Sequence, residues 1–314
     1  MTINLCLVGL GSAGYQHIEA LQNVIEINVT SYFDTDSSKS IDGLKRMQNW
    51  TEMLKDDSIN VVALCTPPGQ RFKLIKDVLT SGKSVLIEKP PFTCVDELVK
   101  TMELTTKYKA TAGVMFQHRY QLPTELDEFL INGNTTAILE ISRPRERARY
   151  FKDWRVNPNE SFGGITAHLG VHYLDLALQI MGKPRKVFTI DKTEVSTGID
   201  NKVLGAIEFM NGSSLIFTIT SEALHRSERL KIFSENGTFT IQNGQVIINE
   251  DGKETSFEKK NPIQLRSLLY EDFSDAVINK KQPKICNLER SEYITQVLEA
   301  IYTNNETIGG VTIV

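Results

Sequence analysis

The sequence predicts a two-domain α/β protein, with a doubly wound parallel sheet in residues 1–117 and an α+β domain with a large, mostly antiparallel sheet in residues 118–314. Three observations lead to this prediction. Apolar runs of strand length alternate with helical segments as far as residue 117. A glycine-rich turn joins the first strand to the first helix. From residue 187 to 257, short alternating runs are separated by Asn-Gly and Asp-Gly pairs, which are typical of antiparallel hairpins.

The first strand and the turn after it form the most informative local pattern. The run Ile3–Val8 is almost continuously apolar, which indicates a strand buried on both faces. It leads into Gly9-Leu10-Gly11-Ser12-Ala13-Gly14, and a helix is expected from about 12 to 23. Gly9 permits a tight turn, Gly11 lets a pyrophosphate approach the backbone, and Gly14 lets the helix lie close to the sheet. The free N–H groups and the dipole of this helix then face the phosphates of a dinucleotide.

The second strand indicates which dinucleotide to expect. It spans residues 27–33 and is followed by Asp34. An acidic side chain at this position accepts hydrogen bonds from a ribose 2′-hydroxyl and repels a 2′-phosphate. Lys39 is the one cation among the ten residues after Asp34. This Rossmann-type pattern therefore favours NAD and leaves NADP possible.

The remaining elements of the first domain continue the alternation. We predict helices over 37–48, 71–81 and 95–107, and strands over 60–65, 84–87 and 111–116. Two of these strands end in Thr66-Pro67 and Glu88-Lys89-Pro90, at the sheet edge where doubly wound folds bind ligands. The predicted cofactor contacts are therefore Gly9, Gly11, Ser12, Ala13, Gly14, Asp34, Thr66, Pro67, Glu88 and Lys89.

The second domain has a different pattern. We expect a helix over 123–131, a strand over 137–142, an irregular basic stretch, and then a helix centred on 170–181. Hairpin strands follow this helix. Two amphipathic helices, over about 263–279 and 288–304, complete the domain.

One predicted reactive group follows a strand of the first domain. Pro90 stiffens the turn that carries Lys89, whose ammonium could meet a substrate oxygen near a nicotinamide. The structural alternative is a strand-end ion pair made by Glu88.

A second predicted reactive group lies in the second domain. His168, His172 and Asp175 share one helical face if the helix has begun by residue 168. A histidine titrates near neutral pH and can accept a hydroxyl proton, while Asp175 could fix the tautomer of His172 or touch a substrate hydroxyl. The same three side chains could instead hold zinc or satisfy a packed helix. Because hydride chemistry with a lysine available needs no Lewis acid, we predict no metal.

The glycine turn, the Glu88-Lys89-Pro90 turn and the run from Gly163 to Asp175 resemble, in order and spacing, the Gfo/Idh/MocA family of glucose-fructose oxidoreductase, inositol dehydrogenase and rhizopine catabolism proteins. The resemblance covers nearly the whole chain. It implies an NAD(P)-dependent oxidoreductase that acts on a secondary alcohol or ketone of a sugar, cyclitol or sugar nucleotide. It also implies that Lys89 polarises the reacting oxygen and that His172 donates or accepts the proton.

Two positions depart from the pattern of that family. His168 stands where the family usually has Asp, so a carboxylate contact to the substrate is lost or replaced. The loop from Thr66 to Arg71 reads Thr-Pro-Pro-Gly-Gln-Arg instead of Thr-Pro-Asn-x-x-His, which leaves its cofactor contacts open. The alternative function is a non-catalytic NAD(P)-binding sensor of the same fold, which the change at residue 168 fits. The presence of both Lys89 and His172 favours an enzyme.

Further substrate contacts are predicted in and before the basic segment from Arg143 to Arg155. Its guanidinium groups could bind a carboxylate or diphosphate, or the segment could be a solvated arm or a subunit contact. The residues proposed to touch the substrate here are Tyr150, Trp154 and Arg155. Arg119, at the domain junction, is either another substrate contact or part of a structural ion pair.

Composition excludes several classes of partner. The 314 residues carry a formal charge of −4, which gives no reason to expect nucleic acid or an anionic membrane surface. No segment approaches the roughly 20 apolar residues of a membrane span, and no basic region precedes the first apolar run as in a signal peptide. The four cysteines lack metal-ligand spacing and are expected to be reduced in a cytoplasmic protein. We expect a small carbohydrate substrate and a homodimer or homotetramer that pairs through the second domain.

Overall fold

A computed structural model of the protein describes residues 2–123, 126 and 134–304. The described residues form two compact units, in which each unit is built from more than one stretch of chain. Unit 1 takes its residues from Met1–Phe92, Asp96–Tyr120 and Asn261–Ser291. Unit 2 takes its residues from Thr93–Val95, Gln121–Lys260 and Glu292–Val314.

Unit 1 contains a six-stranded parallel sheet with strand order β3-β2-β1-β4-β5-β6. The strands are β1 Ile3–Val8, β2 Ile27–Phe33, β3 Lys45–Arg46, β4 Val61–Leu64, β5 Ser84–Ile87 and β6 Ala112–Val114. The helices that begin in the first part of the chain are α1 Ser12–Leu21, α2 Trp50–Lys55, α3 Arg71–Thr80 and α4 Val95–Tyr108. This strand order reverses between β1 and β4, the switch point at which doubly wound sheets bind dinucleotides. The doubly wound fold predicted for the N-terminal part of the chain is confirmed.

One predicted helix of unit 1 is wrong. Residues 37–48 form turns and the short strand β3 instead of a helix. Asp36 accepts hydrogen bonds from both the backbone N–H and the hydroxyl of Ser38, and Gly43 has a φ of +80°. Side chains that bond to nearby backbone in this way compete with helix formation. The guanidinium of Arg46 then holds the loop by donating to four of its carbonyl oxygens.

A late helix of the chain belongs to unit 1. Helix α6, Pro262–Ile278, buries Leu269, Tyr270 and Phe273 in the same apolar core as residues of β1 and β5. The hydroxyl of Ser267 donates to the carbonyl of Ala20 in α1. The position of this helix in the chain predicts that it belongs to the second domain, residues 118–314, whereas Asn261–Ser291 belong to unit 1. Its amphipathic pattern predicts a buried face but does not specify which sheet covers that face.

Unit 2 contains an eight-stranded sheet with the order β14-β13-β12-β11-β7-β10-β9-β8. The strands are β7 Thr136–Ser142, β8 Pro184–Ser196, β9 Ile199–Phe209, β10 Ser214–Thr220, β11 Ser227–Ser234, β12 Gly237–Gln242, β13 Gln245–Glu250 and β14 Lys253–Phe257. All neighbours are antiparallel except β7 and β10. The predicted mostly antiparallel sheet is confirmed.

The hairpin turns of unit 2 follow from their sequences. Asn243 and Gly244 have φ values of +51° and +86°, and Asp251 and Gly252 have +49° and +77°. Positive φ at both central residues defines the two-residue turn that matches strand twist, and Asn, Asp and Gly are the residues that tolerate it.

The longer helices of the described part of unit 2 are α5 Val171–Met181 and α7 Glu292–Thr303, and two single-turn helices span Arg147–Tyr150 and Pro158–Ser161. The predicted helix over 123–131 lies outside the described residues except for residues 123 and 126. Among the helices of the described ranges, none has the length and apolarity needed to cross a bilayer.

Candidate active site

The glycine turn of unit 1 has the geometry that a pyrophosphate site needs. Gly9 has a φ of +93°, and its N–H donates to the carbonyl of Phe33 at 2.9 Å. A Cβ at Gly14 would fall on the carbonyl oxygen of Gly9, so only glycine allows α1 to approach this closely. A Cβ at Gly11 would meet nothing within 4 Å. The space beside Gly11 is therefore open at the N-terminus of α1, where an anion is favoured.

Asp34 lies beside this turn at the end of β2. Its Oδ2 accepts a hydrogen bond from the backbone N–H of Leu10 at 2.6 Å and lies 3.4 Å from Nζ of Lys39. Its Oδ1 accepts from the N–H of Asp36 at 2.8 Å. These contacts hold a carboxylate next to the glycine turn, as recognition of an unmodified ribose requires. Because the guanidinium of Arg46 is bonded to loop carbonyls, it is not arranged to hold a 2′-phosphate.

Arg71 joins the two loops that follow β4 and β5. Its buried guanidinium donates to the carbonyls of Thr66, Glu88 and Pro90, with the Glu88 contact at 2.5 Å. Burial lowers the pKa of Arg71 to about 10, although the charge of Glu88 opposes this effect. Arg71 stands where the family that the sequence resembles has histidine. It holds the turn that carries Lys89 through the carbonyls of Glu88 and Pro90 and joins this turn to the loop after β4 through the carbonyl of Thr66.

A buried polar group on α1 supports the same turn. Nε2 of His17 lies 3.0 Å from Oε1 of Glu88, and Nδ1 of His17 pairs with the hydroxyl of Tyr270. The other carboxylate oxygen of Glu88 accepts from the N–H of Lys89 at 3.0 Å. Burial by itself raises the pKa of Glu88, but the hydrogen bond and charge of His17, with the charges of Lys89 and Arg266, outweigh it and lower the pKa to about 2. Glu88 is therefore an ionised structural group beside Lys89.

Sequence reasoning did not identify His17 or Arg71 as site residues. The signal for His17 was a polar residue on the face of α1 that also buries Gly14 and Leu21. Arg71 carried no comparable signal, since a charged residue at the start of a helix is ordinarily exposed.

In unit 2, the three predicted acid–base residues lie on one continuous helical segment. A π-helical turn over Thr166–Gly170 leads directly into α5, so the helix has begun by residue 168. His168, His172 and Asp175 are all buried. Nε2 of His168 lies 3.0 Å from the carbonyl oxygen of Ser161, and Asp175 accepts from the amide of Gln179 at 3.3 Å. Among the residues that the structure describes, no three His, Cys, Asp or Glu side chains are placed to hold a metal ion.

A buried acid holds the start of this helical segment. The carboxylate of Asp200 accepts from the N–H of Gly164 at 2.8 Å, from the N–H and hydroxyl of Thr166 at 3.0 and 2.7 Å, and from the hydroxyl of Tyr302 at 2.6 Å. The Tyr302 oxygen also accepts from the N–H of Ala167 at 3.2 Å. Asp200 and Tyr302 therefore position the turn that precedes the two histidines.

The pair Gly163-Gly164 was the sequence signal for this network. A Cβ at Gly163 would collide with the ring of Tyr302, and one at Gly164 would collide with the backbone of Asp200. A glycine pair before a helix indicates a close approach, but not which residues approach.

The predicted aromatic contacts of unit 2 lie next to His168. The rings of Trp154 and His168 have centroids 5.2 Å apart. The guanidinium of Arg155 lies over the rings of both Trp154 and Tyr150, at 4.5 and 5.0 Å from their centroids. The structure thus places His168 in one cluster with three residues of the basic segment, Tyr150, Trp154 and Arg155.

Arg119 has a structural role in unit 1. It is buried, and its guanidinium donates to the carbonyls of Ile285 and Arg290 at 3.1 and 2.8 Å. It also lies over the ring of Phe116. Of the two roles considered for Arg119, these contacts favour the structural one.

Comparison with known proteins gives two kinds of match. Residues 3–116 match the model described as the oxidoreductase family with an NAD-binding Rossmann fold, and residues 135–240 match the GFO/IDH/MocA C-terminal domain. The chain is 23% identical over 318 residues to oxidoreductase P35 of Formosa agariphila, covering 95% of this chain and 97% of that protein. It is 24% identical over 279 residues to D-glucoside 3-dehydrogenase of Escherichia coli, covering 79% of this chain and 78% of that protein.

Among solved structures, a levoglucosan dehydrogenase in complex with NADH superposes with a TM-score of 0.87 at 13% identity, covering 99% of this chain and 100% of that chain. At this identity the likeness shows the fold alone.

Proposed function

Because the chain belongs to the Gfo/Idh/MocA family of NAD-binding oxidoreductases, we propose that it interconverts a secondary alcohol and a ketone of a sugar, cyclitol or sugar nucleotide. The observation that carries the proposal is the backbone of the Lys89 turn. Arg71 donates to the carbonyls of Glu88 and Pro90 in this turn and of Thr66 in the loop after β4, and the carboxylate of Glu88 accepts from the N–H of Lys89. These buried contacts fix the backbone that carries the half-buried Lys89, as a preorganised cation requires. The similarity to D-glucoside 3-dehydrogenase supports the same class of substrate.

The residues of unit 1 fit NAD. We propose that Gly9, Gly11, Ser12, Ala13 and Gly14 receive the pyrophosphate at the N-terminus of α1 and that Asp34 binds the ribose. Thr66, Pro67, Glu88 and Lys89 would complete the cofactor site. When bound, NAD supplies the hydride acceptor for oxidation of the alcohol, and NADH supplies the donor for the reverse reaction.

The acid–base work is divided between two residues. In the oxidative direction, an imidazole nitrogen of His172 takes the proton from the hydroxyl, while the ammonium of Lys89 stabilises the negative charge that develops on that oxygen. Lys89 keeps its proton throughout. His168, Asp175, Tyr150, Trp154 and Arg155 are proposed to contact the substrate, and Arg119 is left out because its guanidinium is bonded within unit 1.

Absorbance of reduced nicotinamide tests this proposal across a panel of hexoses, inositols, uronates and nucleotide sugars, with NAD and with NADP. For the substrate found, His172→Ala is expected to lower turnover by about 10²-fold or more, with NADH affinity unchanged. Lys89→Met should lower turnover by a similar factor. His225→Ala is the matched control, because that histidine is exposed in a loop of unit 2. Turnover that survives His172→Ala would remove this residue from the mechanism.

The alternative function is a sensor that binds nucleotide without turnover, and the histidine at position 168 is the observation that favours it. The same panel separates the two functions. A sensor binds NADH but oxidises no sugar of the panel with either NAD or NADP.

We propose in addition that the protein is a homodimer or homotetramer that pairs through the sheet of unit 2. Ile138, Ile216, Ala206 and Phe188 lie in register across β7, β10, β9 and β8, on the face where Ile138 and Ile216 are exposed. An apolar row of this kind needs covering in water. Light scattering should show that Ile216→Lys dissociates the oligomer, while Ile25→Lys at an exposed isoleucine of unit 1 does not.

A cytoplasmic location remains part of the proposal. The thiols of Cys6 and Cys286 are buried, and burial raises the pKa of Cys6 to about 11. Buried neutral thiols act as small apolar residues, which is compatible with a reducing compartment.

A further inference from the structure

Two arginines of unit 2 lie on one tyrosine ring. The guanidinium carbon of Arg145 is 5.2 Å from the ring centroid of Tyr150, and that of Arg155 is 5.0 Å from the same centroid. All three side chains are half-buried. Two like charges therefore share one aromatic ring in partial shelter from water.

Two other arginines of the segment have acidic partners, whereas the half-buried pair Arg145 and Arg155 and the exposed Arg147 form no ion pair within the described ranges. Arg143 pairs with Glu228 at 2.6 Å, and Arg149 pairs with Glu146 at 3.0 Å. Arg145 donates to the carbonyl of Pro144, and neither Arg145 nor Arg155 forms an ion pair with a carboxylate of the residues in the described ranges. Removing a cation partly from water without a counter-ion is unfavourable, and stacking on an aromatic ring offsets only part of that cost. An oxyanion ligand would supply the missing charge.

Ring contacts connect this pair to the proposed acid–base helix. Arg155 also lies over the ring of Trp154, and Trp154 in turn packs against His168. His168 precedes His172 by four residues on the same helical segment. A ligand held by the two arginines would therefore lie beside the helix that acts on the substrate.

We propose that Arg145 and Arg155 form an anion subsite, and that the substrate is an acidic sugar whose carboxylate or phosphate this subsite binds. A planar guanidinium group can donate two parallel hydrogen bonds to a carboxylate or a phosphate. Two guanidinium groups together would fix the position of that oxyanion. This inference rests on the proposed function, because it concerns the substrate of the same reaction.

Calorimetric titration of the whole protein tests the subsite with three probes: glucuronate, glucose 1-phosphate and neutral glucose. At least one acidic probe is expected to bind about tenfold or more tightly than glucose. If only glucuronate binds tightly, the subsite binds a carboxylate. If only glucose 1-phosphate binds tightly, it binds a phosphate, and if both do, it binds oxyanions in general. Equal or weaker binding of both acids, or no binding of either, would overturn the proposal.

Substitution of the two arginines tests whether they are the groups that bind the acidic probe. Arg145→Gln and Arg155→Gln should each weaken the acidic probe about tenfold or more and leave NADH affinity unchanged. Arg149→Gln, at an exposed arginine with its own acidic partner, should change it less than about twofold. If the two variants do not fold, the salt dependence of binding to the wild-type protein still tests the subsite. Added salt should weaken binding of the acidic probe and leave binding of glucose unchanged.

Turnover separates this inference from the proposed function. If the arginine pair binds the acid tightly but no turnover is found, the proposed subsite is supported and the proposed enzymatic function is contradicted. If turnover depends on His172 but is unaffected by Arg145→Gln and Arg155→Gln, the proposed enzymatic function is supported and the proposed subsite is contradicted.

Discussion

Replacing Asp200 with Asn tests whether the buried network of unit 2 holds the histidine segment. The Asp200 carboxylate accepts four hydrogen bonds, from Gly164, Thr166 twice and Tyr302. Asn keeps one acceptor oxygen and turns an NH₂ group toward two of these donors. Two disrupted buried hydrogen bonds, each worth about 1–2 kcal/mol, give an expected loss of about 2–4 kcal/mol. For a unit of this size the melting temperature should fall by about 5–15 °C.

The same change should reduce catalysis without affecting cofactor binding. A loosened turn before His168 and His172 misplaces the proton acceptor, and turnover should fall about 10-fold to 10²-fold. NADH affinity should not change, because Asp200 belongs to unit 2 and the dinucleotide residues belong to unit 1. Thermal unfolding by circular dichroism, steady-state turnover and NADH fluorescence titration measure the three quantities.

Asp191→Asn is the matched control. Asp191 pairs with Lys202 at 2.7 Å at the surface, so its substitution should cost less than about 1 kcal/mol. If the Asp200→Asn variant has the same melting temperature and the same turnover as the Asp191→Asn variant, the reasoning is refuted.

Three further predictions concern unit 1. Gly11→Ala should leave the melting temperature unchanged and weaken NADH binding about tenfold or more, whereas Gly14→Ala should also destabilise the fold, because its Cβ would meet a carbonyl oxygen. Because the pKa of Glu88 is lowered to about 2, its carboxylate stabilises the fold above about pH 4.5, and this stability is lost as the pH falls toward 2. Urea unfolding should therefore show that the free energy of unfolding falls by about 3 kcal/mol over this pH range, and that the Glu88→Gln variant lacks this decrease. Arg71→Lys cannot reach three carbonyls with one ammonium, so turnover should fall about tenfold or more, while Lys73→Met at an exposed position of α3 leaves it unchanged.

Local patterns of the sequence determined much of unit 1 and the hairpins of unit 2. Strand β1 has the predicted bounds, Gly9 and Gly14 have the predicted steric roles, and Asn243-Gly244 forms the expected tight turn. These features depend on residues close together in the chain, where backbone dihedrals and side-chain volume decide the outcome. The sequence also predicted that His168 and His172 share one helical segment, and the structure has this segment begin at Thr166.

Tertiary structure alone decided which distant residues meet. Helix α6 packs in unit 1 through Tyr270, and Arg71 turns inward to three carbonyls instead of facing solvent. Asp200 reaches Gly164 from strand β9, and Arg145 and Arg155 meet on one ring. A periodic pattern specifies that a face or a polar group is buried, but its partner is chosen by the packing of the whole chain. For that reason the sequence predicted which residues are proposed to react, while the groups that hold them in place emerged only from the fold.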